Sequence, residues 1–550
     1  MIGVIANGID QSTVAEFFEL FKTLWEFWRP GTRYDVLLCS NSPVPENDAS
    51  LVLLYGSQRQ AFEVSRGIKT RSIRGTGLVT FRDRRMPIYG NFLLFDGQDD
   101  KLLLHDGTGA ATAVATVSGP QAMIRLGFDL FEEVHHVLTQ GQPVELASIP
   151  TLELHISLLR QLILSQGVAL VEIPPVPAGY RFIVCLTHDI DHPGVRYHKF
   201  DHTMFGFLYR AVIGSVIQFC LARRSLRQVA ANWKAALSLP LVFAGIVKDF
   251  WNQLDRYLKL ENELASTFFV IPTKGDAGID PKGRTNPRRA SPYDAAEIAD
   301  EIKKLLCANR EIGVHGIDAW RDSAKGDDER ERIQEITGAG DIGVRMHWLY
   351  FDSQAPLTLE KAGFGYDSTF GYNETIGYRA GTAQVFKHRN VDHLLELPLH
   401  IMDTALFYPS YMNLSDEQAG AAMLPLIENT TGFGGVLTIN WHDRSLGPER
   451  LWGDTYVTLL GDLRARTPWF ATAAQAVSWF RKRRSAVIES VILEGDSVRV
   501  KISVDEDKSN LPGLRLRVHK TWSTNDRIRP RPEYAEATFN QSGEIDVTLS

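Results

Sequence analysis

Between Tyr180 and about residue 482, short apolar runs end repeatedly in side chains that can bind a metal or move a proton. Phe182 to Leu186 opens onto Thr187, His188, Asp189, Asp191 and His192. STFFVIP (266–272) leads to Lys274 and Asp276, EIGV (311–314) to His315, and IGVR (342–345) to His347. LLELPL (394–399) leads to Asp403, and GVLTIN (435–440) to Trp441, His442 and Asp443. Helical patterns separate the runs, as at Trp251, Leu254, Tyr257, Leu258 and Leu264, and again over 295–306. Fully apolar strands alternating with helices predict a parallel sheet covered on both faces. Reactive residues at the C-terminal ends of several such strands mark the mouth of a (β/α) barrel.

The rest of the 550 residues must fold separately, because single cores stop growing well below this length. Residues 1–178 mix apolar runs (Val36 to Leu38, Leu51 to Leu54) with the amphipathic stretch Val14 to Trp28, and read as an N-terminal α/β domain. GTGAATA (107–113) lacks the GxxxxGK[ST] pattern of a phosphate loop and reads as a loop or helix start. The Pro-rich IPPVPAG (173–179) reads as a linker to a barrel over 179–482. Beyond Arg481 to Arg484 helical patterns stop, and 483–550 reads as a small antiparallel C-terminal β domain, sandwich-like.

Lys and Arg number 59 against 66 Asp and Glu, a net charge of −7, which argues against nucleic acid as a partner of the whole chain. Cys39, Cys185, Cys220 and Cys307 are scattered without CxxC spacing, so neither a disulfide framework nor a zinc–thiolate site is expected. The first residues, MIGVIANGIDQS, carry no basic segment followed by an apolar one, and a cytoplasmic location is expected. Within the barrel, 200–250 reads as a helical insertion. Its segment 203–222 approaches the length of a membrane span but is interrupted by Arg210 and Gln218. The second apolar stretch, 235–247, is too short to span, and Arg223, Arg224 and Arg227 lie between the two. Three readings stand: a packed insertion, a lid or helix lying on the inner face of a membrane, or a true span.

Asp189 and Asp191, two apart on an extended strand end, point to one side. Two carboxylates so placed repel unless a cation lies beside them. A metal held by one, with the other as a base, resolves this. His315, His347 and His442 end other strands of the same sheet, and aspartate with two histidines suits a divalent ion such as zinc. A histidine across the site can protonate a leaving group. This is the equipment of metal-assisted hydrolysis.

The order of these motifs resembles the polysaccharide deacetylase superfamily, the NodB-homology domain, over roughly residues 180–480. That family's T-F-D-D-G motif is matched by Thr187-His188-Asp189-Ile190-Asp191, as in a variant branch with an H-D-[VI]-D signature. STFFVIP is similar to the family's second barrel strand, EIGVHG to the start of H-[ST]-x-x-H, Arg345-Met346-His347-Trp348 to R-x-P-[FYW], and GVLTINWHD to the last motif. The chain departs from the pattern at Ala319, where the second histidine is expected. The resemblance implies a distorted (β/α) barrel that removes N- or O-acyl groups from sugars with a divalent metal. It implies Asp189 as base, Asp191 and His315 as metal ligands, His442 as acid, and Arg345 as partner of the base. His347 is expected to replace the missing histidine, with Asp318 competing. Asp403 is expected to orient His442, with Asp443 competing.

Other residues carry plainer expectations. His188 reads as a supporting residue and His192 as a loop histidine. His135, His136, His198 and His202 read as surface or structural, and Trp348 and Trp441 as pocket wall or core. The stretch 363–382, rich in Gly and Tyr, reads as a substrate loop with a contact from Arg379, or as a plain structured loop. The expected substrate is a carbohydrate, lipid-linked or part of a growing surface polysaccharide. The competing expectation is a non-catalytic, carbohydrate-binding relative.

Overall fold

The structure, a computed structural model, describes residues 1–96, 104–118, 121–221, 224–495, 497–505, 510–520 and 533–549. Arg223 of the basic cluster lies outside them. The described chain divides into two compact units, Met1–Gly179 with Ala380–Gln384 and Trp479–Ser550, and Tyr180–Arg379 with Val385–Ser478.

The first unit is built on a six-stranded sheet in the order Ala113–Ser118, Gln121–Leu126, Leu51–Tyr55, Val36–Ser40, Ile2–Ala6, Trp25–Phe27. All neighbours are parallel except the first pair. The helix that begins at Gln11 ends at Phe21, earlier than the pattern to Trp28 suggests, because Lys22 turns left-handed (φ 51°) and Trp25–Phe27 joins the sheet edge. The 107–113 stretch is a turn entering a strand. Leu170–Glu172 pairs antiparallel with Leu514–His519, which pairs with Tyr534–Phe539. Val487–Glu494, Ser497–Ser503 and Gly543–Thr548 form a further antiparallel sheet. The Pro-rich 173–179 stretch is tied down within this unit by Ile173 N–H to Lys22 O and Ala178 N–H to Gly513 O.

The second unit carries the parallel sheet. Its strands run Leu395–Glu396, Tyr366–Asp367, Val344–Met346, Glu311–Gly316, Ser266–Val270, Ile183–Ile190, Val436–Asn440, Ile401–Met402, and Trp469–Phe470 also pairs with Ile183–Ile190. Every neighbouring pair is parallel. No pairing joins the two edge strands among the described residues, so the sheet is a curled, open half-barrel rather than a closed ring. All residues of Ile183–Ile190 and Ser266–Val270 are buried, as a sheet covered on both faces requires. Neighbouring strands deliver their chemical residues side by side: Asp189 is level with Phe269, and His315 with Arg345. The insertion forms a continuous helical run over 202–220, with a π segment at Tyr209–Gly214, and a second helix, Leu226–Phe243.

Candidate metal and acid–base site

Strand alternation divides the Thr187-to-Asp191 stretch between two environments. His188 points into the core, between Tyr257 and Phe268, with Nε2 2.9 Å from Glu261 Oε1 and Nδ1 2.7 Å from the Trp441 carbonyl. Asp189 and Asp191 point the other way, into the mouth of the sheet.

Asp189 is gripped from both sides. Arg345 Nη1 donates to its Oδ1 at 3.1 Å, and Asn440 Nδ2 donates to its Oδ2 at 2.7 Å. Arg345 is fully buried and held in place by Thr187 Oγ1 (2.7 Å), Ser368 O (3.1 Å) and Ser368 Oγ (2.9 Å). Burial alone would raise the Asp189 pKa, but His315, Arg345 and His442 hold it below the usual carboxylate value. The carboxylate therefore stays ionised.

Asp191, His315 and His347 present one ligand atom each, all within 4.8 Å of one another. Asp191 Oδ1 is 3.3 Å from both His315 Nε2 and His347 Nδ1, and the two nitrogens are 2.9 Å apart. His315 Nδ1 lies 2.9 Å from the Arg345 carbonyl, which can only accept, so that nitrogen carries a hydrogen and Nε2 is the atom that faces the cluster. Burial pushes His347 down to about 4 even with Asp191 beside it, so its ring is neutral. Asp191 Oδ1 is buried without a hydrogen-bond partner. The donor set fits a divalent cation.

Across the mouth, His442 Nε2 stands 3.8 Å from Asp191 Oδ2. Its Nδ1 is 2.6 Å from Asp403 Oδ1, and its backbone N–H donates to Asp403 Oδ2 at 2.8 Å. Burial lowers the imidazole pKa, but the Asp403 carboxylate, with Asp191 and Asp189, outweighs it and raises the value to about 10. Asp403 thus stands where an orienting carboxylate is expected. Asp443 instead accepts the His192 and Arg444 backbone N–H groups at 2.7 Å each.

Asp318 is turned away from the cluster. It accepts the Ile279 N–H at 3.0 Å and pairs with Lys325 at 2.6 Å. Ala319 is fully buried, and its Cβ lies on the Gly326 side of helix Ser323–Thr337, where a side chain at 326 would meet it at 3.2 Å. A histidine at 319 would enter that helix contact, not the mouth. Lys274 pairs with Glu297, and Asp276 accepts the Gly278 N–H, both outside the cluster. Arg379 donates to Gly371 O at 2.9 Å and stacks on Phe370, while Tyr366, Phe370 and Tyr378 are buried, so most of the 363–382 stretch is packed structure. Trp441 is core, whereas Trp348 is 38% exposed beside His347.

Two further residues, Arg289 and Asn440, support the site. Arg289, 1% exposed, donates to the carbonyls of Ala277 (2.9 Å), Ile317 (2.9 Å) and His347 (2.8 Å), stapling the turns after His315 and His347. Nothing in TNPRRAS marks it. Asn440 could have been found, because it lies two residues before His442 at the end of an extended strand. Trp348 and Leu349 both hold positive φ (63° and 52°), a strained turn that ends the strand directly after His347. A surface depression lined by Leu258, Glu263, Asn309, Arg310 and Gln475 lies at the N-terminal ends of the strands, away from this chemistry.

No family model and no curated protein matches the chain. Solved structures do. A candidate polysaccharide deacetylase from Mycobacterium smegmatis aligns over 59% of this chain and 99% of its own, at 16% identity and TM-score 0.34. A mutant of a CE4-family pseudoenzyme with restored enzymatic activity aligns over 54% and 67%, at 11% identity and TM-score 0.25. A candidate polysaccharide deacetylase involved in O-antigen biosynthesis, from Bordetella bronchiseptica, aligns over 55% and 92%, at 11% identity and TM-score 0.23. Likenesses at this level leave the chemistry to be read from the side chains themselves.

Proposed function

We propose that the chain is a metal-dependent hydrolase that removes N-acetyl, or O-acetyl, groups from an amino sugar or a polysaccharide precursor. The observation that carries this is the Asp191–His315–His347 cluster, placed between an ionised carboxylate and a protonated imidazole. A divalent ion there, zinc by donor type, would polarise the acyl carbonyl and make water acidic enough to lose a proton near neutral pH. Asp189, kept ionised and aimed by Arg345 and Asn440, takes the proton of the attacking water. His442, kept protonated by Asp403, gives its proton to the departing amine or alkoxide. Two titratable groups driven apart in pKa divide the base and acid roles between them. Water is consumed, and acetate and a free amine or hydroxyl leave. The substrate we infer is a lipid-linked or growing surface polysaccharide, met at the inner face of a membrane.

The test is metal analysis of purified protein alongside acetate release from N-acetylhexosamine oligomers. We expect about one divalent ion per chain, with bound metal and acetate release both lost in His347→Ala. Metal binding without acetate release from sugars, in a protein that still binds them, would favour a non-catalytic carbohydrate-binding relative, the reading that Ala319 keeps open. Absence of any bound divalent ion would overturn the hydrolase.

A further inference from the structure

The insertion after the first strand of the parallel sheet has apolar residues on both sides of its helices. Met204, Phe207 and Ala211 face inward, with Ala235, Leu239, Val242 and Trp251, and form its core. Phe205, Tyr209, Ile213 and Ile217 are exposed, and their spacing of four places them in one outward stripe along the first helix. On the second helix Leu226, Trp233, Leu237 and Leu241 form another outward stripe, with Leu237 78% exposed and Leu226 69%. Contiguous apolar surface on this scale marks a binding face rather than ordinary exposure.

Charge identifies the occupant. Residues 202–247 contain Arg210, Arg223, Arg224, Arg227 and Lys234 but no aspartate or glutamate, in a chain whose net charge is −7. Arg210 is paired with Glu449, and Arg224 donates to the Glu449 carbonyl at 2.8 Å. Arg227 and Lys234 are exposed, have no ion pair among the described residues, and line one edge of the second stripe, roughly 80° around the helix from it at 100° per residue. A second copy docking by symmetry would set cations against cations with no acid between them. His202–Cys220 is long and apolar enough to cross a bilayer, but its inner face packs on the insertion's core and Arg210, midway along it, is paired with Glu449, which favours a helix lying on the surface. An apolar face edged by aromatic and basic residues suits the interface of an anionic bilayer.

We infer that this face docks the protein flat on an anionic phospholipid surface. The inner side of the insertion, opposite the docking face, adjoins the wall of the site. Trp251, in the insertion's core, lies 5.9 Å from the His192 ring and beneath the Arg444 guanidinium at 4.7 Å, two residues from His442. The inference stands apart from the reaction, because its readout is binding.

The experiment is cosedimentation of the full chain with vesicles of phosphatidylcholine alone and of phosphatidylcholine with phosphatidylglycerol, at low and high salt. We expect binding to the phosphatidylglycerol vesicles, weakened by salt. It should fall roughly tenfold or more in Trp233→Glu/Leu237→Glu and in Arg227→Glu/Lys234→Glu. These side chains are exposed, so both variants should keep the wild-type melting temperature and the wild-type rate on soluble oligomers. No binding by wild type, or equal binding by the variants, would overturn the inference. So would a dimer in solution that Trp233→Glu/Leu237→Glu splits while vesicle binding stays absent.

Discussion

Asp403 holds His442 at two points, through Nδ1 at 2.6 Å and through the backbone N–H at 2.8 Å. It accepts the Ser445 hydroxyl as well, at 2.5 Å. The carboxylate thus fixes the ring and keeps it charged. Asp403→Asn keeps the shape but removes the charge that opposes burial. We expect kcat to fall on the order of 100-fold or more with little change in KM, the effect of weakening a general acid. Steady-state kinetics with a melting curve checks this. A loss confined to KM or to stability would count against the acid role.

Asn440 lies on the opposite side of Asp189 from Arg345, and its amide donates to Oδ2 at 2.7 Å. Asn440→Asp would place a second carboxylate at that distance, and one of the two would then hold a proton. The base would be partly lost, and we expect a fall in kcat of roughly 100-fold. Asn440→Ser, which adds no charge, should cost far less. Equal losses in the two variants would point to packing instead of charge.

Arg289 ties the turn after His315 to the turn after His347 through backbone carbonyls alone. Arg289→Met fills similar space but leaves buried acceptors without donors, at about 2 to 4 kcal/mol of stability. Because both ligand-bearing turns loosen, metal affinity should drop roughly 10- to 100-fold. A zinc competition titration on folded protein decides it, and unchanged affinity would remove Arg289 from the site.

The strand ends of the parallel sheet are legible in sequence because burial on both faces leaves uninterrupted apolar runs, and each polar residue that follows stands out. Asp189, Asp191, His315, His347 and His442 are all visible in this way. Arg289 is not, since a loop arginine looks the same whether it is solvated or buried against backbone carbonyls. The pairing of Leu170–Glu172 with Leu514–His519 joins segments more than three hundred residues apart, and no local period announces it. Trp25–Phe27, three residues long, is too short to show alternation and merges in sequence with the preceding helical pattern.

Asp367 and Glu396 are directly opposite each other on neighbouring parallel strands, and both are buried. Burial and the neighbouring carboxyl raise Asp367 well above its usual value, and burial first raises Glu396 to about 7. The folded pair therefore holds a proton more tightly than the unfolded chain does. The Glu396 share of the pair's stabilising contribution is complete below pH about 4.5 and is lost as pH rises through about 7. Glu396→Gln keeps the oxygen that accepts the Phe370 N–H at 2.9 Å but removes the Glu396 share of this titration, leaving Asp367 buried. The variant should gain stability on wild type between pH 5 and 8, by an amount on the order of 3 kcal/mol at the upper end. Urea unfolding across that range measures the difference. Parallel stability curves for the two proteins would show that the pair is not protonated in the fold.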